Sequence, residues 1–416
     1  MLTPRWRAEL ILACVTGLVA LAAIPSGPAR SAIRAPGAAL TRSAVADGIW
    51  DKQQWVLGML DVEAAWPVTR GAGVTVAVID SGVNPHVSDL SGSVTTGPNY
   101  TRVPTSPANG DWGVHGTWMA SLIAGHGHDD GIDGVTGIAP RARILSIRVI
   151  PDRGDPHYAK YEREQETVIQ QSLADGIRYA VTHGAKVISM SIGYSAPSGA
   201  VRAELQQAYD HGVVVIASAG NSGGPSGAGR TSQAPYSFPA DYPSVISVGA
   251  VKADGAVAGF SSDNLSVQVA APGVSVPAQG RDGEYWLVSG TSPACALVAG
   301  VAALIKSEYP HLAPDLVSRA MTSTTTDRPA GGYNSQVGFG IVDAAAALTR
   351  AGQLAGVRPA ATTIKGTAKY RGSLPAAPVG PRGSGQLVLF ALLALTSLAL
   401  SAAAATRLVI LRRTNR

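Results

Sequence analysis

Val74-Thr75-Val76-Ala77-Val78-Ile79-Asp80-Ser81-Gly82 is the stretch on which the fold turns. Its first six residues are apolar except Thr75 and show no polar alternation. Such a run predicts a strand covered on both faces, as in parallel sheets. It closes on an acid followed by a Ser-Gly turn. Similar short runs occur at 144–149, 187–192, 213–217, 245–248 and 267–270. Helical stretches are expected between and after them, at 115–124, 166–182, 199–211, 295–308 and 314–324. This alternation predicts an α/β domain with a parallel central sheet flanked by helices. In such sheets, functional groups gather at the carboxyl ends of the strands. The end of each run is therefore where chemistry is expected.

Charge narrows the function classes. The chain of 416 residues carries a net charge of +5. Residues 1–46 hold five Arg against one Glu, and 351–416 hold nine basic residues and no acid. That leaves 19 basic and 27 acidic residues in 47–350. A nucleic-acid binder would show the opposite distribution, so no nucleic-acid partner is expected. Two cysteines exclude a disulfide scaffold, and no Cys/His spacing points to zinc.

Basic flanks around apolar ends are a membrane-targeting pattern. Arg5 and Arg7 precede an uncharged, largely apolar run at 10–24, followed by small and turn-forming residues. This predicts a signal peptide over 1–32; an uncleaved N-terminal anchor is the alternative, and both imply export. Residues 33–54 read as a short N-terminal extension. The stretch 387–406 is 20 residues without a charge, followed by Arg407, Arg412, Arg413 and Arg416. A helix of that length spans the hydrocarbon core. The expectation is a transmembrane helix over 387–410 with a lipid-bilayer partner. The signal peptide sets its orientation, with the body outside and a basic tail, 411–416, in the cytoplasm. A Gly/Ala/Pro-rich linker is expected over 351–386.

Four strings within 55–350 carry chemistry. Asp80 ends the first strand, and a buried acid there needs a partner. His115 lies in Gly113-Val114-His115-Gly116-Thr117 and opens a helix. Asn221, in Ser218-Ala219-Gly220-Asn221, follows the fourth run. An amide there can donate to a developing oxyanion; a turn-forming Asn is the bland reading. Ser292, in Gly290-Thr291-Ser292-Pro293-Ala294, opens a long apolar helix. Amide donors and a positive dipole end would flank its hydroxyl there, though an N-cap Ser is equally ordinary. His126-Gly127-His128-Asp129-Asp130 could suggest a metal, but a solvated surface loop is the simpler expectation. The charged stretch 152–166 reads as an exposed loop entering a helix.

Taken in order, Asp, His, Asn and Ser make the sequence resemble the subtilisin-like serine proteases. The matching strings are Val78-Ile79-Asp80-Ser81-Gly82, His115-Gly116-Thr117, Ser218-Ala219-Gly220-Asn221 and Gly290-Thr291-Ser292. Gly137-Ile138-Ala139-Pro140 and Met190-Ser191-Ile192-Gly193 match further. The resemblance covers 55–350. It implies a peptidase with catalytic Asp80, His115 and Ser292, an oxyanion donor in Asn221, and a protein or peptide substrate. It also implies substrate-binding backbone at Ser191, Ile192 and Gly193 and at Ala217, Ser218, Ala219 and Gly220. No cofactor and no metal are expected. With the signal peptide, the Gln53-Gln54-Trp55 lead-in and the C-terminal apolar helix, the layout is most similar to the mycosins of type VII secretion systems. Membrane components of such a system are the implied partners. A structural member of the secretion complex retaining the fold, or a general degradative surface protease, are the alternatives.

Overall fold

The computed structural model describes residues 41–43, 48–128, 133–163, 166–223 and 234–356. The chain enters as β1 (Thr41–Ser43), α1 (Ile49–Met59) and α2 (Val62–Ala65). The body begins with β2 (Thr75–Asp80), β3 (Val94–Asn99), α3 (Val114–Ala124), β4 (His126–His128), β5 (Asp133–Thr136) and β6 (Arg143–Arg148). Next come α4 (Tyr158–Arg163), α5 (Glu166–Thr182), β7 (Val187–Met190), α6 (Gly199–Asp210), β8 (Val214–Ser218), β9 (Val245–Val251) and β10 (Val267–Pro272). It closes with β11 (Val276–Gln279), β12 (Tyr285–Val288), α7 (Thr291–Glu308), α8 (Pro314–Ser323) and α9 (Ala344–Gly356).

Seven strands form one sheet in the order β10-β9-β8-β7-β2-β6-β3. Every neighbouring pair is parallel. The unbroken apolar runs have a direct cause. Val76 and Val78 face one core with Ile144, Val187, Val214 and Ile216. Ala77 and Ile79 face the other with Leu145, Ile147, Ile188 and Val215. Successive strand residues point to opposite faces, so two covered faces favour apolar residues at nearly every position. Helices α3 and α7 cover the first face, α5 and α6 the second. Each fully buried Val, Ile or Leu contributes about 1.5–3 kcal/mol relative to exposure.

The central helix α7 is buried on all sides at most positions from Thr291 to Lys306. Its composition explains this: Ala, Val, Leu, Ile, Cys and Gly leave it no polar face to turn to solvent.

The structure departs from the sequence expectations at both borders of the body. Helix α1 spans the boundary expected between 54 and 55, and α9 continues through Gly356 instead of ending at 350. Leu348, Ala351 and Leu354 are buried, so α9 packs beyond the point where composition turns linker-like. The expected signal peptide at 1–32, transmembrane segment at 387–410, tail at 411–416 and most of the expected linker lie outside the described residues. Among the described residues no helix is long and apolar enough to cross a membrane.

The segment after β6 is exposed at Arg153, Gly154 and Pro156 and leads into a helix, as expected, but two of its acids are buried. Asp152 and Asp155 are 8% and 3% exposed. Arg148, 1% exposed, reaches into this segment. Its Nη2 donates to Asp155 Oδ2 at 2.9 Å, Nε to the Ser81 carbonyl at 3.0 Å, and Nη1 to Thr101 Oγ1 at 3.1 Å. The charges are tolerated because every one is paired. Replacing Arg148 with Met keeps the bulk but strands the Asp155 carboxylate. The variant is expected to lose about 3–5 kcal/mol of unfolding free energy. Denaturant titration checks this, and a loss below 1 kcal/mol would contradict it.

Candidate active site

Because the sheet is parallel, the carboxyl ends of β6, β2, β7 and β8 fall along one edge. Asp80 is the last residue of β2 and 1% exposed. Its Oδ1 accepts the Ser81 amide at 2.7 Å and faces His115 Nδ1 at 2.8 Å. A carboxylate can only accept here, so the ring carries its proton on Nδ1 and leaves Nε2 as the basic lone pair. Asp80 Oδ2 is buried with no hydrogen-bond partner among the described residues. The carboxylate is thus poorly solvated, and a neighbouring imidazolium is the group that gains from it.

Helix α3 brings His115 to this point. Gly113 caps the helix with φ of 76°, a conformation that glycine adopts without steric cost. A Cβ on Gly116 would overlap the Gly82 carbonyl oxygen. Glycine at 116 therefore lets the helix lie against the turn after β2, where the two side chains can meet. Trp118 stands edge-on to the imidazole with centroids 6.2 Å apart. The His115 side chain is 29% exposed, so one edge of the ring faces the surface. Burial opposes its charged form. The charge and hydrogen bond of Asp80, with the charge of Asp152, outweigh that, and its pKa stands above 6.5.

Ser292 is the second residue of α7, one position inside the helix that Gly290 caps. The first turn is pinned to two strand ends. Ser191, just past β7, donates its hydroxyl to the Ser292 carbonyl at 3.2 Å. Asn221, past β8, accepts at Oδ1 from the Thr291 amide at 2.8 Å and the Thr291 hydroxyl at 2.9 Å. Those two bonds fix the amide's orientation and leave the Asn221 Nδ2 donor uncommitted. Nδ2 lies beside Gly290, where an added Cβ would approach it at 3.5 Å. The arrangement brings the Asn221 amide to the first turn of the helix that carries Ser292. Among the described residues the Ser292 hydroxyl makes no hydrogen bond, to His115 or otherwise. Nucleophile–base contacts are often long in the absence of substrate and tighten when it binds.

The segments expected to bind substrate differ in exposure. Ser191, Ile192 and Gly193 are half-buried and extend past β7 until Tyr194 pairs with Phe238. Ala217, Ser218 and Ala219 are buried, and the Ala219 amide is held by the Val248 carbonyl. Pairing with β7 ends at Ala217, and only Gly220 and Asn221 reach partial exposure.

Asp152 is a site residue that the sequence reading missed. It accepts at Oδ2 from the amides of Gly113 and Val114, at 2.8 and 3.1 Å, and at Oδ1 from the amide of His115, at 2.9 Å. A signal was available: Asp152 follows β6 at the same sheet edge as Asp80. Cys295 is fully buried with Sγ 3.7 Å from the Met190 carbonyl, and burial pushes its thiol up to about 12. It stays protonated and acts as a small core residue.

The His126–Asp130 string is not a solvated loop over its described part. His126–His128 is strand β4, paired with β5, and His128 Nδ1 meets Asp89 Oδ1 at 2.7 Å. Among the described residues no three His, Cys, Asp or Glu side chains gather into a metal-holding group.

The sequence profile of the subtilase family matches residues 71–340. Subtilisin DY of Bacillus licheniformis is 36% identical over 278 residues, which cover 67% of this chain and 92% of that protein. Among solved structures, the serine protease MycP1, described as an essential component of the type VII (ESX-1) secretion system, superposes with a TM-score of 0.61. It is 33% identical over 74% of this chain and 92% of that one. A chain of the periplasmic assembly from the ESX-5 inner membrane complex superposes with a TM-score of 0.62. It is 28% identical and covers 74% of this chain and 86% of that one.

Proposed function

The chain belongs to the subtilase family and is a subtilisin-like serine endopeptidase, and from that premise we propose that Asp80, His115 and Ser292 are its catalytic triad on a membrane-anchored body outside the cytoplasm. The carrying observation is the 2.8 Å contact between His115 Nδ1 and Asp80 Oδ1 at the end of β2; β7, which pairs with β2, runs on into Ser191, whose hydroxyl holds the first turn of the helix that bears Ser292.

Ser292 Oγ attacks the scissile carbonyl while His115 Nε2 takes its proton. Asp80 keeps the imidazole in the Nδ1–H tautomer and stabilises the imidazolium that forms. The Asn221 Nδ2 and the Ser292 amide donate to the oxyanion, aided by the dipole of α7. Collapse breaks the C–N bond, and His115 returns its proton to the leaving amine. Water then attacks the acyl-Ser292 ester with His115 again as base; the acyl C–Oγ bond breaks, the carboxylic acid product leaves, and His115 returns the proton to Ser292 Oγ. Ser191–Gly193 supports an extended peptide as an added strand, with Gly220 lining the wall beside it.

The resemblance to MycP1 supports processing of proteins of a type VII secretion system. The likeness to a chain of a periplasmic assembly favours a second role, as a structural member of that complex. The uncharged stretch 387–406 and the arginines after it support anchoring.

One experiment tests chemistry and anchoring together. Membranes from cells expressing the full chain are treated with a fluorophosphonate probe. The expected result is a labelled band in the membrane fraction that disappears in Ser292→Ala. A folded chain that never labels would favour the structural role, and a labelled band in the soluble fraction alone would remove the anchor.

A further inference from the structure

We propose that Asp152 is a positioning residue for His115, gripping its backbone through the start of α3 while Asp80 grips its ring. This rests on His115 being the general base of an endopeptidase.

The geometry is specific. A helix N-terminus leaves its first amides without intrahelical partners. They are ordinarily met by the side chain of the capping residue. The cap of α3 is Gly113, which has no side chain to offer. Its duty passes to Asp152, 39 positions away in sequence from Gly113, which accepts three consecutive amides with its two oxygens. The third of those amides is that of His115. The same residue is thus held at both ends by carboxylates from neighbouring strand ends, Asp80 after β2 and Asp152 after β6. Those strands pair in register up to Asp80 and Arg148.

The clamp is itself anchored. The Asp155 amide donates to the Asp152 carbonyl at 3.0 Å, and Arg148 ties Asp155 to the Ser81 carbonyl, next to Asp80. The two carboxylates are therefore tied into one hydrogen-bonded frame, with the base between them.

The charged and titratable groups around Asp152 are Asp80 from β2, Arg148 from β6, His115 from α3 and Asp155 from its own loop; Asp111 abuts Gly154 in that loop. Burial pushes the Asp152 carboxyl up to about 6, against the amide bond of His115, which favours the ion. Its charge in turn favours the imidazolium of His115. Removing it lowers the pKa of the base, so the acid limb of the rate profile moves to lower pH.

The test is the full-length chain carrying Asp152→Asn, assayed on a peptide substrate across pH. The expected result is a kcat lowered by about 10–100-fold with KM within about threefold. The acid limb is expected to move down by about half a unit or more. A limb left in place would make Asp152 a structural cap only and overturn the proposal, as would a kcat within twofold of the parent. Asp152→Glu, which keeps the charge but shifts the oxygens, is expected to lower kcat while holding the limb. A second readout needs no turnover: the His115 imidazole, followed in 13C-histidine-labelled chain, should titrate at lower pH in Asp152→Asn. If the parent chain shows no Ser292-dependent hydrolysis, the endopeptidase assignment fails, and the histidine titration still decides the Asp152–His115 link.

Discussion

Ser292→Ala is expected to lower kcat by on the order of 10⁶-fold, the loss that removal of a triad nucleophile brings. KM should change little, because the side chain removed is small and the proposed peptide-binding strand is Ser191–Gly193. The variant should fold as the parent does. The Ser292 side chain makes no hydrogen bond among the described residues, and its carbonyl keeps the bond from Ser191. Loss of rate without loss of stability is therefore the signature. Residual activity above about 1% of the parent would mean that another group attacks the carbonyl. Cys295, one helical turn away, could not be that group, since its thiol is buried and held protonated.

Asp80→Asn should cost about 10⁴-fold in kcat while leaving the shape of the site intact. The Asp80 oxygen that faces His115 Nδ1 can only accept, and an amide placed there can also donate. The imidazole then gains by turning its lone pair to the amide and carrying its proton on Nε2, where it cannot act as a base. Loss of the charge has a further effect. The imidazolium loses its strongest support, so the pKa of His115 falls and the acid limb moves to lower pH. Measurement of kcat/KM from acid to mild alkali checks both. A plateau within tenfold of the parent would mean that Asp80 does not orient the base.

The two single losses also separate the carboxylates. Asp80 acts on the tautomer, and its removal should cost far more than removal of Asp152, which acts on placement. If the two single variants cost the same, the distinction between ring and backbone support is wrong.

Much of the sheet was legible because a strand covered on both faces is apolar at most positions. Six of its seven strands coincide with such runs. The seventh, β3, reads Val94-Thr95-Thr96-Gly97-Pro98-Asn99 and sits at the edge, where one side meets solvent. Nothing there demanded apolar residues, and Gly and Pro mimic a turn. The hairpins β4–β5 and β11–β12 escaped for a related reason, being three or four residues long each. At the site, Asp80, His115, Asn221 and Ser292 stood out because each lies in a short string with its own chemistry. Asp152 lies in no such string. Its task is defined by amides 37 to 39 positions earlier, and only the pairing of β2 with β6 brings them together. The charge of 152–166 looked like a solvated surface because sequence alone does not reveal that Arg148 pairs with Asp155 beneath it.

The helix that carries Ser292 is sheathed by the sheet on one side and by α3 on another. A protease must thread an extended strand of its target through the cleft, so a cut within α7 would require this helix to leave the core. Such an opening costs nearly the whole stability of the body. In a crowd of its own copies, the enzyme therefore shields its nucleophile's backbone from self-digestion. Damage should begin on exposed edges and leave the reactive serine in place until the last.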